Sequence, residues 1–287
     1  MPNDTTNRNI YKHALLLAGL SSLFFVSIAE AATGRSFIGP HEYALPTDVP
    51  DGFKVFVGYA YYETSDEFYN DDGDKLSSDR NESLVTLAKF SQGWTLKEHP
   101  SFGYAYEVIL PVIGSRNRTA NTSASGVGDP IVAPYIWYEI AEGVKVGTDL
   151  LITLPIGQKD VGGGDSWKVM NSVFIDVQMN KFNYTGDVIW NYPGESNRFD
   201  DTVGKSWSTE HVFGYRTTEL IEPYVGAAYE YQRGSSINVA NSETDILVGL
   251  MFHLKNGRST AIHLAHAVDG KNRPASSSLN FRFVRPF

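Results

Sequence analysis

Cysteine is absent from this 287-residue chain, which excludes disulfides, catalytic thiols and thiolate metal sites together. An excess of cations is missing too. The 24 Lys and Arg stand against 33 Asp and Glu, for a net charge of −9. That is the wrong sign for a protein that neutralises phosphates through its bulk field, so nucleic acid is not an expected partner. Charged residues are sparse at 20%, yet past the first thirty residues no long hydrophobic run takes their place. The longest, Ile131 to Tyr138, has eight residues and includes Pro134, whereas a transmembrane helix needs roughly 18 or more. What the chain does have is aromatic residues, 13% of the total, and 26 glycines, at a mean hydropathy of −0.24. That much aromatic surface argues against disorder, while length alone fits either two average domains or one large unit.

The first thirty residues have the order of a secretory signal. Arg8, Lys12 and His13 precede an apolar stretch from Ala14 to Ile28, and Ala29-Glu30-Ala31 supplies small residues two apart. Cleavage is expected after Ala31, which makes residues 1–31 a signal peptide and leaves 32–287 to be exported. Residues 32–52, with Pro40, Pro46, Pro50 and Gly52, read as a polar lead-in on the periplasmic side. Ala32 to Asp51 is long for a simple lead-in; it is a candidate either to plug the barrel from the periplasmic side or to cross over as an extra element, and the sequence does not choose between these.

From residue 53 onward the period is two, the mark of strands with one apolar face. Phe102, Tyr104, Tyr106, Val108, Leu110 and Val112 alternate with smaller or polar residues, and Val144 to Ile156, Phe182 to Tyr192 and Thr244 to Leu254 behave alike. Twelve segments follow from this pattern, at about 53–62, 82–92, 101–113, 128–140, 144–156, 168–180, 182–192, 206–217, 222–232, 243–254, 259–268 and 277–287. Several match or exceed the roughly 9–11 residues that cross a bilayer as a tilted strand. The connections alternate as well. Ala141-Glu142-Gly143, Lys181, Thr218 to Ile221 and Lys255-Asn256-Gly257-Arg258 are tight, and Asn-Gly suits a type I′ turn. Glu63 to Asn81, Gly114 to Val127, Gly157 to Trp167 and Pro193 to Lys205 are long and polar. Short turns on one side and long loops on the other predict an all-β fold, a transmembrane up-and-down antiparallel barrel of about twelve strands over residues 53–287. Its expected partners are outer-membrane lipids and lipopolysaccharide. The terminal strand, with Leu279, Phe281 and Phe283 on one face and Phe287 at its end, resembles the signal read by the barrel assembly machinery, although Arg285 and Pro286 depart from that pattern.

Gly126-Val127-Gly128-Asp129-Pro130 opens the fourth segment. Leu154-Pro155-Ile156-Gly157 follows about 25 residues later, and then Gly162-Gly163-Gly164-Asp165. This order resembles a family of outer-membrane barrels named after the meta-cleavage pathway of phenol degradation, with Ile156 where the family has Thr. The resemblance implies an outer-membrane barrel of a Gram-negative bacterium that passes aromatic or other hydrophobic compounds. On physical grounds the motif is structural first. Gly126 and Gly128 permit a bend at the rim, Pro130 suits a strand start, Pro155 suits a bulge or rim, and Asp129 is expected to cap a turn or bond rim amides rather than hold a ligand.

If the more apolar parity faces lipid, the other faces a lumen lined by Lys54, Glu107, Asp149, Asp176, Asp187, Glu210, Arg216, Glu230, Asp245, His253 and Arg282. Seven of these eleven are carboxylates, which would favour cations if the lumen is open; the alternative is a lumen filled by these side chains. Trp94, Trp137, Trp167, Trp190 and Trp207 lie at or near segment ends, as interfacial anchors do. No local catalytic arrangement stands out. Ser208 and His211 have opposite parity, as do His263 and His266, and Ser259 lies two strand steps, about 13 Å, from His263. The expectation is therefore a passive channel for a small-molecule solute, hydrophobic or aromatic, with no cofactor, no metal and no enzymatic activity. The alternatives are a lipid-modifying enzyme using His253, His263 or His266, and a structural barrel without transport.

Overall fold

The computed structural model describes residues 38–196 and 201–287; the signal peptide expected over 1–31 lies outside these. Twelve antiparallel strands close into a ring. They are β1 (Phe53–Tyr69), β2 (Lys75–Thr95), β3 (Phe102–Asn117), β4 (Ile131–Ala141), β5 (Val144–Thr153), β6 (Lys168–Met179), β7 (Phe182–Pro193), β8 (Ser206–Tyr215), β9 (Ile221–Gln232), β10 (Asn241–His253), β11 (Ser259–Lys271) and β12 (Arg273–Pro286). Each pairs with its chain neighbours, and β1 pairs with β12, Tyr59 opposite Arg282, to shut the seam. Closure leaves no unpaired edge in the ring, the condition for a sheet to lie in lipid.

All twelve predicted segments are strands, and the outward parity is the one read from the sequence. Val108, Leu110 and Val112 on β3, Ile246 and Val248 on β10, and Leu279 and Phe281 on β12 are exposed on the outer wall. The tight joins share one end of the barrel. Asn256 and Gly257 both have positive φ there, as a type I′ turn requires.

Two of the predicted long loops are instead strand. Most of Glu63 to Asn81 extends β1 and β2 into a tall hairpin whose turn is Asn70–Asp74, where the Asn70 Oδ1 accepts the amides of Asp72 and Asp74 at 2.9 and 2.8 Å. Within Gly114 to Val127, β3 continues to Asn117 and Thr122–Val127 returns along it. Beyond the bilayer both faces of a hairpin are wet, so the alternation that marks a strand in sequence disappears while the pairing continues. Likewise β11 and β12 are joined by Asn272 alone. The joins from 154 to 167 and from 194 to 205 are long, as expected.

The inner wall is two-sided. Over β1 to β4 and β6 it is apolar, with Val57, Tyr59, Tyr61, Val85, Leu87, Ile109, Ile113, Ile131 and Met170 buried in one cluster. Over β7 to β12 it is largely polar, with Asp187, Glu210, Glu222, Glu243, Asp245, His263 and Asn280 buried. Lys54 does not belong to this wall. It is exposed and shares the outward parity of Phe56 and Tyr62, because on β1 both faces are apolar and the inward one is the aromatic Tyr59–Tyr61 face.

Candidate functional site: the filled lumen

The segment before β1 lies inside the barrel. Its central residue is Glu42, whose carboxylate accepts hydrogen bonds from the Tyr59 hydroxyl at 2.5 Å, the Lys89 Nζ at 2.8 Å and the Arg282 guanidinium at 2.5 Å. Two buried cations on β2 and β12 would be costly without an anion between them. Arg282 also donates to the Pro40 carbonyl at 2.5 Å. Ile38 donates its amide to Glu210 at 2.7 Å, and the Tyr43 hydroxyl donates to Asp187 at 2.6 Å while its ring stacks on Phe174 at 4.1 Å. Burial and the nearby Asp187 and Asp149 push the Tyr43 phenol well above the usual tyrosine range, so it stays a donor. Trp137, only 1% exposed, donates its indole N–H to the Pro46 carbonyl. Trp137 is therefore a support of this segment rather than an interfacial anchor, because on β4 its parity is inward. Gly52, at φ +92° against the Trp94 indole, turns the chain into β1.

Burial would push the Glu42 carboxyl up, but the Lys89 and Arg282 cations and the bonds from Lys89 and Tyr59 hold it down at about 2, against an ordinary 4.5. A carboxyl with a depressed value strengthens docking fully above its ordinary value and loses that contribution as pH falls toward the depressed one. Conductance of the bilayer-inserted protein is thus expected to be flat from about pH 8 to about pH 5 and to rise as pH drops from 4.5 toward 2. Glu42→Gln should lack that acid rise; a wild-type profile that stays flat through this window would contradict the tether.

The opposite mouth is built by the glycine-rich motifs. The Asp129 Oδ1 accepts the amides of Gly157 and Gly164 at 2.7 and 2.8 Å, so one carboxylate joins all three motif elements. Val127 and Gln158 close the same junction, amide to side chain at 3.0 Å and amide to carbonyl at 2.8 Å. A Cβ on Gly157 would lie 2.5 Å from the Gly128 carbonyl carbon and 2.6 Å from the Asp129 nitrogen, which is why this position has no side chain. Leu154 donates its amide to the Pro130 carbonyl, placing Pro130 and Pro155 at the rim. The loop then turns inward through a short 3-10 turn at Lys159–Val161, and Val161 is buried against the apolar cluster of the inner wall.

Residues 65–283 match the model of the family described as "Putative MetA-pathway of phenol degradation". The chain belongs to this family. Among solved structures the fold is similar to the COG4313 outer membrane channel from Pseudomonas putida F1, at a TM-score of 0.77 and 19% identity over 87% of this chain and 100% of that one. It is also similar, more distantly, to the transport unit of the autotransporter AIDA-I from Escherichia coli, at 0.52 and 9% over 91% and 96%. The β domain of the Bordetella autotransporter BrkA gives 0.50 and 12% over 82% and 99%. No curated protein matches in sequence.

In this phenol-degradation family member the inward carboxylates fall largely where parity puts them, but they are not a free acidic lining. Glu107 meets Ser91 at 3.2 Å and Lys89 at 3.6 Å, and Asp176 accepts from Thr185 and Gln178. Glu230 and Glu243 both bind Arg273 at 2.8 Å. Asp149 faces a cavity of about 200 Å³ beside the N-terminal segment, Asp245 is buried, and Arg282 is spent on Glu42. Arg216 is a correction: it lies past the end of β8 and bonds the Glu219 carbonyl. Lys89, Lys145 and Arg273 are inward cations that the sequence reading left out, and they offset the acidic residues.

His253 faces inward and bonds Glu222 at 2.7 Å, a contact considered below. His263 is inward and meets the Tyr224 hydroxyl at 2.9 Å; His211 is outward against Tyr184. A serine–histidine contact does exist, Ser277 to His266 at 2.8 Å, made by cross-strand register on the outer wall. Among the described residues no carboxylate bonds that ring, so the relay that would activate a serine is incomplete.

Proposed function

We propose that the protein is a passive channel of the Gram-negative outer membrane for small hydrophobic or aromatic compounds, narrowed at rest by residues 38–52. The observation that carries this reading is the apolar strip on the inner wall. It runs from Val161 at the long-loop mouth past Ile113, Ile109 and Leu87 to Val57, and it ends at the cavity of about 200 Å³, which Leu87, Ile109, Tyr135 and Phe174 line with Lys89, Glu107 and Asp149. Apolar pockets of on the order of 150 Å³ accept a single benzene ring, so the cavity is scaled to one ring rather than to a sugar or peptide. In this orientation the short turns and residues 38–52 face the periplasm and the long loops face outward. Residues 1–31 direct export and are cleaved off, lipid and lipopolysaccharide contact the exposed outer wall, and β12, followed by the exposed Phe287, is the strand offered to the assembly machinery.

The filled lumen equally favours a closed barrel that serves the envelope without transport, and one experiment separates the two. Proteoliposomes carrying the full chain are expected to admit a neutral monocyclic phenol faster than protein-free vesicles, and to admit a disaccharide no faster. Flux indistinguishable from empty vesicles for both solutes, in the wild type and in Glu42→Gln, would leave the structural reading.

A further inference from the structure

The titratable cluster at the short-turn end does more than support the wall. Glu222 opens β9 and is 0% exposed, and His253 closes β10, its amide bonded to the Leu220 carbonyl. His41 comes from the N-terminal segment, positioned by its own amide on the Thr185 hydroxyl. The three side chains converge. The His41 Nε2 lies 3.0 Å and the His253 Nε2 2.7 Å from the same oxygen, Glu222 Oε2. The two rings stand edge to face at 5.6 Å, and all three donor atoms fit within 4.8 Å of one another.

The other carboxylate oxygen, Oε1, lies 3.1 Å from the same His41 Nε2 and has a further partner on the wall. Asn183, itself 2% exposed, donates its amide to Glu222 Oε1, the supporting contact that fixes a ligating carboxylate. Two imidazoles and one carboxylate are the donor set of zinc-class ions, and a tetrahedral zinc site separates neighbouring donors by about 3.3 Å. The two nitrogen–oxygen spacings, 3.0 and 2.7 Å, would open by about 0.6 Å or less to reach that distance, and the spacing between the two imidazole nitrogens, within 4.8 Å, would close by at most about 1.5 Å. Oxygen-seeking Mg²⁺ and Ca²⁺ are disfavoured by the two nitrogens. His41 and His253 keep 20% and 16% of their side chains exposed, which leaves a path for a hydrated ion.

We propose that His41, Glu222 and His253 bind one divalent transition-metal ion of the zinc class, which clips residues 38–52 to the barrel wall. The ion takes the place of the protons that the two Nε2 atoms present to Glu222. A neutral ring keeps its proton by moving it to Nδ1, and a charged ring releases one proton to solvent. A fourth position stays open to water. The clip does not depend on the channel reading, since it concerns where the segment is held and not what passes.

The test uses the full chain, folded in detergent without an affinity tag and stripped with a chelator. Calorimetric titration with Zn²⁺ is expected to give one ion per chain, with no binding of Mg²⁺ or Ca²⁺ at the same concentrations. His41→Ala and His253→Ala should each weaken Zn²⁺ by at least about tenfold, while His99→Ala and His211→Ala should not change it. Zn²⁺ should also slow proteolysis of residues 38–52 in the wild type and not in His41→Ala. His41 lies outside the strands, so its variant tests the site even if His253→Ala fails to fold. Absence of stoichiometric binding, or binding unchanged in His41→Ala, overturns the site; binding without protection of the segment overturns the clip.

Discussion

Glu42→Ala is expected to unseat residues 38–52 and turn a barrel with little conductance into one with frequent, larger openings. The wild-type carboxylate sits between Lys89 and Arg282, all three side chains mostly buried. Removing one member of a buried ion pair typically costs about 3–5 kcal/mol, because the partner charge is left uncompensated. Here two cations lose their shared anion. Lys89 keeps Glu107 at 3.6 Å and the face of the Tyr59 ring at 5.7 Å, and Arg282 keeps the Pro40 carbonyl, which belongs to the same departing segment. Lys89 is 15% exposed, so the low end of that range is the safer figure, about two orders of magnitude in the ratio of docked to undocked segment. Planar-bilayer recordings would read this as open probability, with Glu42→Gln changing in the same direction and by less. Equal open probability in wild type and Glu42→Ala would mean that the segment is held by something other than this carboxylate.

At the other mouth, Asp129→Ala is expected to release the loop at 154–167 without dissolving the ring. Its Oδ1 accepts two backbone amides, and hydrogen bonds to a charged group contribute about 1.5–3 kcal/mol each. Water reaches this rim, so a net loss of about 2–4 kcal/mol is the expected scale. Gly157→Ala should do at least as much, since its Cβ would meet backbone atoms of Gly128 and Asp129 and no side-chain rotation relieves that contact. The readout is limited proteolysis within 154–167 together with the thermal midpoint of the detergent-solubilised barrel. Asp129→Asn, which keeps an acceptor, should fall between. A loop as protease-resistant in Asp129→Ala as in the wild type would refute the clamp.

The twelve strands were legible because each crosses lipid with one face only, and that constraint writes itself into the sequence as parity. The rim motif was legible for a different reason: glycines and a carboxylate at fixed spacing have few structural uses, and the capping role expected of Asp129 is the one it has. Three things were hidden. On β1 the inward face carries Val57, Tyr59 and Tyr61 and so is as apolar as the outward one, which misplaced Lys54. Trp137 was misread because nearness to a strand end does not reveal which side of the wall a ring faces. Residues 38–52 have no period to read, for they form no strand of their own and take their conformation from partners far along the chain, Glu210 to Ile38 and Arg282 to Glu42 among them. The cluster of His41, Glu222 and His253 was invisible for the same reason, although His253 alone could be placed inward.

The Glu42 tether also depends on closure of the ring. Lys89 lies on β2 and Arg282 on β12, the two strands that flank β1 at the seam where the first and last strands of the ring meet. An assembling barrel in which β12 has not yet found β1 has one cation near Glu42 and not the other. The two-sided seat exists only where the seam is zipped, so a fully seated N-terminal segment requires a complete ring.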